Sequence, residues 1–356
     1  METKLKNIYE DPSDPGSFGG VNRLLESARK HEMKVNRNQV ETFLKKHEAY
    51  TLHRPARRRF QRNPTIVGGI DHQWQADLVD MASLSKVNAG YRYLLTIIDC
   101  FSKYAWAIPL KNKDGKTVVS VFQKALAERV PNRLQTYKGK EFFNKEFKEL
   151  LSKHKIHHFA TENETKAAMV ERFNRTLKTR MWTYFSATNS RQFLKVLPEL
   201  VDSYNHSLHR TIGMKPTDLT KDLESELFAK VYGRILAVAP TKHKITKGDS
   251  VRISKMKTIF EKGYLPNWSG EVFKVMEHAH RPKRVYKLQD MAGEDIAGTF
   301  YKEEVQPISY DPGKQVPVEK ILKTKTILGK KEYLVKWLHL PNKFNSWVKE
   351  KDLNRI

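Results

Sequence analysis

Two acidic residues stand where an acid is costly to keep and useful for chemistry. Asp77 lies in the middle of "WQADLVDM", residues 74–81, an apolar run with strand character. An ionised carboxylate among such neighbours needs a cation to meet it, and a divalent metal is the simplest. Asp80, three residues along, points to the opposite face of the strand and is a poor substitute. Glu171 lies in "KAAMVERFNRTLKTRMW", where Val170, Phe173, Leu177 and Met181 form a stripe at helical spacing and Glu171, Arg175 and Lys178 share a neighbouring face. One account of that face is an ordinary i,i+4 ion pair, worth a few tenths of a kcal/mol. The other is a metal ligand backed by two cations that hold phosphates. Spacing alone leaves both open. Acids from separate elements that hold two divalent metals about 3.5–4 Å apart are a common means of cutting or joining phosphodiesters.

The chain carries 65 Lys and Arg against 40 Asp and Glu, a net charge of +25, with an isoelectric point near 9.8. A surplus of this size has to be neutralised, and polyanions are the first candidate partners. An anionic membrane surface could also take such charge. No apolar run, however, reaches the roughly 18 residues that would span a bilayer, and "METKLKNIYEDPSDPG" has no signal-peptide core. A soluble, intracellular protein is expected. The single cysteine, Cys100, excludes an intrachain disulfide framework and the common structural zinc sites, which need at least two thiolates. Of the histidines, "HKIHH" (His154, His157, His158) comes closest to ligand spacing, and its Ile156 and Phe159 make it read as a strand entering the core.

The elements that must position these residues can be read in order, and at 356 residues there is room for two or three domains. Residues 1–52 form a small helical module, with helices over 21–31 and 37–47 and Asn36 as a cap for the second. The pair is either helix-turn-helix-like or a hairpin docked on the next domain. Residues 53–70 follow as a basic arm, in which Arg54, Arg57, Arg58, Arg59 and Arg62 stand without an acid between 53 and 64. Such a run is either a solvated linker or a phosphate-contacting arm. From 71 to 220 an α/β pattern sets in: three consecutive strands, then helix, strand, helix, strand and two long helices. Residues 221–241 read as a linker, 242–308 as a small β-barrel of short alternating segments, 309–315 as a second, turn-rich linker, and 316–356 as two compact strands with a terminal helix.

"WQADLVDM", "YLLTIIDCFSKYAWAIPL", "LQTYKGKEFFNKEF", "TENETKAAMVERFNRTLKTRMW" and "YNHSLHRTIGMKPTDL" together closely resemble the core of retroviral-type integrases, in particular those of Polinton/Maverick DNA transposons. The resemblance implies an RNase H-like core, a mixed five-stranded sheet with helices, whose three acids bind two Mg²⁺ or Mn²⁺ ions and join a 3′ hydroxyl to target DNA. Asp77 matches the first acid and Glu171 the third. Where the family pattern reads TD-x-G-x-EF, this chain has Thr136, Tyr137, Lys138, Gly139, Lys140, Glu141 and Phe142, with Tyr137 34 residues before Glu171. Lys166, Arg175 and Lys178 are DNA-binding candidates beside the arm arginines. Residues 242–308 resemble the SH3-like DNA-binding barrel of these integrases, and 316–356 are similar to a chromodomain. The chromodomain motif surrounds methyl-lysine with three aromatics. Only Trp337 matches, because Val316 and Leu340 occupy the other two positions. The two-histidine, two-cysteine zinc module of retroviral integrases cannot be built from one cysteine.

A phenol with a pKa near 10 is a poor ligand for a hard metal beside a carboxylate with a pKa near 4. With Tyr137 in place of the second acid, one metal site loses an anionic ligand, and impaired catalysis is expected. Glu141, four residues on and beyond Gly139, is the one nearby substitute. The alternatives are an active integrase in which Tyr137 is a sequence error or rare allele, and a recruited chromatin or DNA-binding adaptor. The resemblance also implies self-association into a homo-multimer on paired DNA ends and target DNA. Nuclear localisation is expected, with a histone-tail contact through an incomplete cage and no membrane partner.

Overall fold

Four short helices, none able to bury its apolar side alone, share one small core at the N-terminus. They are α1 (Glu2–Glu10), α2 (Val21–Lys30), α3 (Arg37–Lys46) and α4 (Glu48–His53), and they enclose Leu5, Tyr9, Leu24, Ala28, Val40, Phe43 and Leu44. Asn36 caps α3 as predicted: its side chain accepts from the Gln39 amide, and the Gln39 side chain accepts in return from Asn36, both at 2.9 Å. Two helices were expected here and four are present. Leu5, Ile8 and Tyr9 give α1 its own apolar side. This computed structural model describes all residues except Arg58, 161–166, 238–244, 258–259, 280–282, 312–315, 328–329 and 354–356.

The chain divides into two compact units, Pro64–Ala239 and the remainder, Met1–Asn63 with Pro240–Ile356. In the first, β1 (Trp74–Asp80), β2 (Tyr93–Asp99) and β3 (Ala105–Leu110) pair antiparallel as a meander. After α5 (Gly115–Leu126) comes β4 (Arg133–Thr136), parallel to β1, and after α6 (Lys145–Lys153) comes β5 (His157–Ala160), parallel to β4. The sheet order β3-β2-β1-β4-β5 is the mixed five-stranded sheet expected of the RNase H-like integrase core. The period of two sends Trp74, Ala76, Leu95 and Ile97 to one face, against α5 and α6. Val79, Leu94 and Ile98 go to the other, against α7 (Ala168–Thr188) and α8 (Phe193–Asn205). Asp77 shares the face of Val79, so the sheet turns it toward α7.

Residues 221–241, read as a linker, contain helix α9 (Glu224–Leu236). Leu227, Phe228, Val231 and Tyr232 repeat at helical spacing and pack with Val67, Phe101, Ile212 and Leu219 into a further core cluster of the same unit. In the other unit, β6 (Ser250–Ile253), β7 (Phe273–Ala279), β8 (Val285–Gln289), β9 (Asp295–Tyr301) and β10 (Val305–Pro307) form an antiparallel sheet in the order β10-β6-β7-β8-β9, consistent with the SH3-like barrel. Its core is built on Val251, Val275, Tyr286 and Leu288. The last module has three strands where two were expected, β11 (Val318–Ile327), β12 (Lys330–Trp337) and β13 (Ser346–Lys349), followed by α10 (Glu350–Leu353). The third is only four residues long, "SWVK", and gives little periodic signal.

Candidate active site

The site is built at the contact of β1 with the first turn of α7. Gln75, two residues before Asp77 and on the same face, accepts from the backbone amides of Met169 and Val170 at 2.9 and 3.1 Å. These amides belong to the free donors at a helix start, so Gln75 is a cap supplied from the sheet. The Gln75 amide in turn donates to Gln135 of β4 at 3.0 Å, and Gln73 donates to the same oxygen at 3.1 Å. This buried glutamine ladder fixes α7 against β1 and so brings Glu171, four residues into the helix, toward Asp77.

Asp77 is largely withdrawn from solvent. Its carboxylate accepts from the Leu78 amide at 2.8 Å and from the Asn174 side chain at 2.9 Å. Burial pushes its pKa above the usual carboxylate range, and the negative charges of Glu171 and Glu141 push the same way against the Leu78 hydrogen bond and the more distant Lys178. Asn174 leaves its own Oδ1 buried without a hydrogen-bond partner. Glu171 is exposed, and the Tyr137 hydroxyl donates directly to its carboxylate. Tyr137 follows the last residue of β4, and its ring packs at the edge of the α7 core cluster. The structure thus brings Asp77, Tyr137 and Glu171 together, with Tyr137, at the position of the second acid, bonded to Glu171.

Glu141 folds over Gly139 so closely that a Cβ there would meet its carboxylate, and it acts on Asp77 through its charge. His158 bonds Thr136 at 2.8 Å and stacks on Phe143, and burial lowers its pKa to about 4. It is a neutral residue of an edge strand whose residues are exposed or half-buried, and of the segment read as entering the core only Ile156, just before the strand, is in it. Among the described residues, no group of three or more His, Cys, Asp or Glu side chains could hold a metal ion. Asp77 and Glu171 each already accept from a neutral donor. This donor set does not fit a two-metal clamp, which needs acids on both ions. Cys100 is buried, with its thiol pushed up to about 12 by burial, so thiolate chemistry is closed to it.

Arg175 and Lys178 are exposed on the same side of α7 as Glu171, whereas Lys166 and Arg58 lie outside the described residues. Arg54, Arg57 and Arg59 are exposed, but Arg62 pairs with Glu304 at 2.7 Å and lies over the rings of Phe60 and Tyr301. The arm backbone is tied down as well: Trp268 Nε1 donates to the Arg54 carbonyl at 2.7 Å, and Asn63 exchanges side-chain bonds with the Lys283 backbone. Trp337 donates to Ser346 at 2.9 Å. Val316 and Leu340 instead line a cavity with Tyr310, Leu338 and Phe344, of which Trp337 is not a lining residue. The residues missed at the sequence level are Gln75 and Asn174. Asn174 was signalled by its i+3 spacing from Glu171, and Gln75 by its i−2 spacing from Asp77.

Residues 70–165 match the integrase core domain family and residues 316–356 the chromodomain family. A transposon-derived protein of Caenorhabditis elegans is 35% identical over 195 residues, 54% of this chain and 65% of its own length. A retrovirus-related Pol polyprotein from a transposon of Nicotiana tabacum is 40% identical over 96 residues, 25% of this chain and 7% of its own length. The chain therefore spans less than two thirds of these curated relatives. The intasome of simian T-cell lymphotropic virus with the PP2A regulatory subunit B56 gamma contains a chain that superposes at a TM-score of 0.60 and 17% identity. The match covers 87% of this chain and 99% of that one. The two share a fold. This chain carries an integrase core domain and a C-terminal chromodomain.

Proposed function

We propose that this chain is a DNA-binding, integrase-derived protein of a transposable element of the Polinton/Maverick kind, with strand-joining chemistry silenced at Tyr137. The observation that carries this reading is the Tyr137 hydroxyl bonded to Glu171 where the integrase pattern has an acid. The phenol brings no negative charge and uses an oxygen of the remaining acid. The mobile-element origin is supported by the two transposon relatives, and DNA as partner by the net charge of +25 and the cations beside Glu171. Assembly of several copies on DNA, nuclear residence and a dependence of the ancestral reaction on Mg²⁺ or Mn²⁺ belong to the same proposal. The chromodomain favours a second reading, a recruited chromatin or DNA-binding adaptor. This reading predicts salt-sensitive DNA binding that is unchanged by substitution of Asp77 or Glu171.

The test is a strand-transfer assay with Mn²⁺ on the unaltered chain, Tyr137→Asp, and Tyr137→Asp with Glu171→Gln. Tyr137→Asp is expected to join DNA at least about 100-fold faster than the other two, because members of one catalytic set fail together. Activity of the unaltered chain comparable to that of Tyr137→Asp would refute the silencing. Inactivity of all three, with DNA binding kept, would favour the adaptor.

A further inference from the structure

The exposed side of α7 continues beyond the acid and the two cations. Glu171, Arg175, Lys178 and Trp182 fall within about 60° of one another around the helix axis. The Trp182 ring is 48% exposed, while the apolar residues of the other side, such as Phe173, Leu177 and Met181, are buried. Trp182 leans on Phe185 at 5.4 Å between centroids, which holds the ring without covering it. A shallow groove beside it is lined by Lys178, Thr179, Thr183 and Ser186. The three hydroxyls donate back to the carbonyls of Arg175, Thr179 and Trp182 at 2.8, 2.9 and 3.1 Å. No acid lines the groove, and a single indole among hydroxyls and cations is far smaller than the roughly 800 Å² a stable protein partner would cover. What fits is a chain that is anionic along its backbone and offers flat aromatic faces.

We infer that Trp182 is a stacking platform for an unpaired base of a bound DNA strand, whose phosphates lie on Arg175 and Lys178. The inference rests on the DNA-binding reading above and adds to it the form of DNA. A base inside a duplex offers no free face, so the strand must be single or frayed there. At 1.5 Å per residue, Trp182 lies about 16 Å along the helix from Glu171, which is about five nucleotides at the 3.4 Å rise of a stacked strand and fewer for an extended one.

The full chain is titrated with a blunt duplex and with the same duplex bearing a five-nucleotide 3′ overhang, 2-aminopurine being placed at each overhang position in turn. Trp182→Ala is expected to weaken binding of the overhang about tenfold, to leave the blunt duplex within twofold, and to leave the salt slope unchanged. Trp182→Phe should recover most of the loss. Arg175→Ala and Lys178→Ala should each lower the slope by roughly 0.7–0.9 on both probes. Overhang binding unaltered by Trp182→Ala, or an equal loss on both probes, overturns the inference. A shift of Trp182→Ala to a smaller oligomer with unchanged DNA affinity also overturns it and assigns the face to a second copy. If the unaltered chain shows no salt-dependent DNA binding at all, the function reading itself fails.

Discussion

Two clusters of carboxylates sit on the same sheet and are treated in opposite ways. At the end of β2, Asp99 is fully buried and its pKa is raised, first by burial. Arg129 meets it at 2.8 Å, reaches Asp71 at 2.6 Å with the same nitrogen, and lies over the rings of Tyr104 and Trp106. Asp71 also accepts from Trp74 Nε1 at 2.8 Å. This cluster contains its own cation. At the start of α7, Asp77 and Glu171 receive an asparagine amide, a backbone amide and a phenol, all neutral. The charge that burial makes costly meets a bonded arginine in the first cluster, whereas in the second, among the described residues, the carboxylates bond neutral donors and the cation that opposes the shift of Asp77 is the more distant Lys178. A carboxylate with its arginine is architecture, whereas carboxylates that press on each other and bond only neutral donors mark a candidate site for chemistry. In the function proposed above, Tyr137 occupies that place without supplying the negative charge that the chemistry needs.

The comparison breaks first at Arg129. Arg129→Ala leaves Asp99 buried and unpaired, and a loss of about 3–5 kcal/mol of stability is expected, read from the urea midpoint of the full chain. Tyr137→Phe removes a donor from the exposed Glu171, which water can serve instead, so a loss of only about 0.5–1 kcal/mol is expected. Equal losses for the two variants would erase the distinction between the clusters. The smallest effect sharpens it. Because the folded pKa of Asp77 lies above its unfolded value, the folded state holds the proton more tightly, and stability falls as pH rises through the window between the two. Asp77→Asn should therefore melt higher than the unaltered chain at pH 7, with the gain shrinking toward pH 4. A gain that grows on acidification would show that Asp77 is held by a cation after all.

The strand around Asp77, the helix around Glu171 and the short segments of the barrel are legible because their apolar residues repeat every two or every 3.6 positions over enough length to stand out. The departure at Tyr137 is legible because the flanking Thr136, Gly139 and Phe142 keep their spacing. Helices α1 and α9 were missed although Leu5, Ile8 and Tyr9 and Leu227, Phe228, Val231 and Tyr232 stand at helical spacing, a signal that the sequence carried and that the packed cores make plain. Arg62 carried the same compositional signal as Arg57 and Arg59, yet it pairs with Glu304, 242 positions away in the chain, which no local pattern encodes.

What the sequence by itself determined is therefore the inventory: an acid in a strand, an acid in a helix, a phenol at the right interval between them, and a large positive surplus. What only the tertiary structure decided is how these groups are satisfied. Gln75 caps a helix 95 positions away, Asn174 takes Asp77 from 97 positions away, and Tyr137 closes on Glu171. Such bonds depend on which face each strand turns to which helix, and that follows from burying both faces of the sheet at once rather than from any stretch of chain read alone.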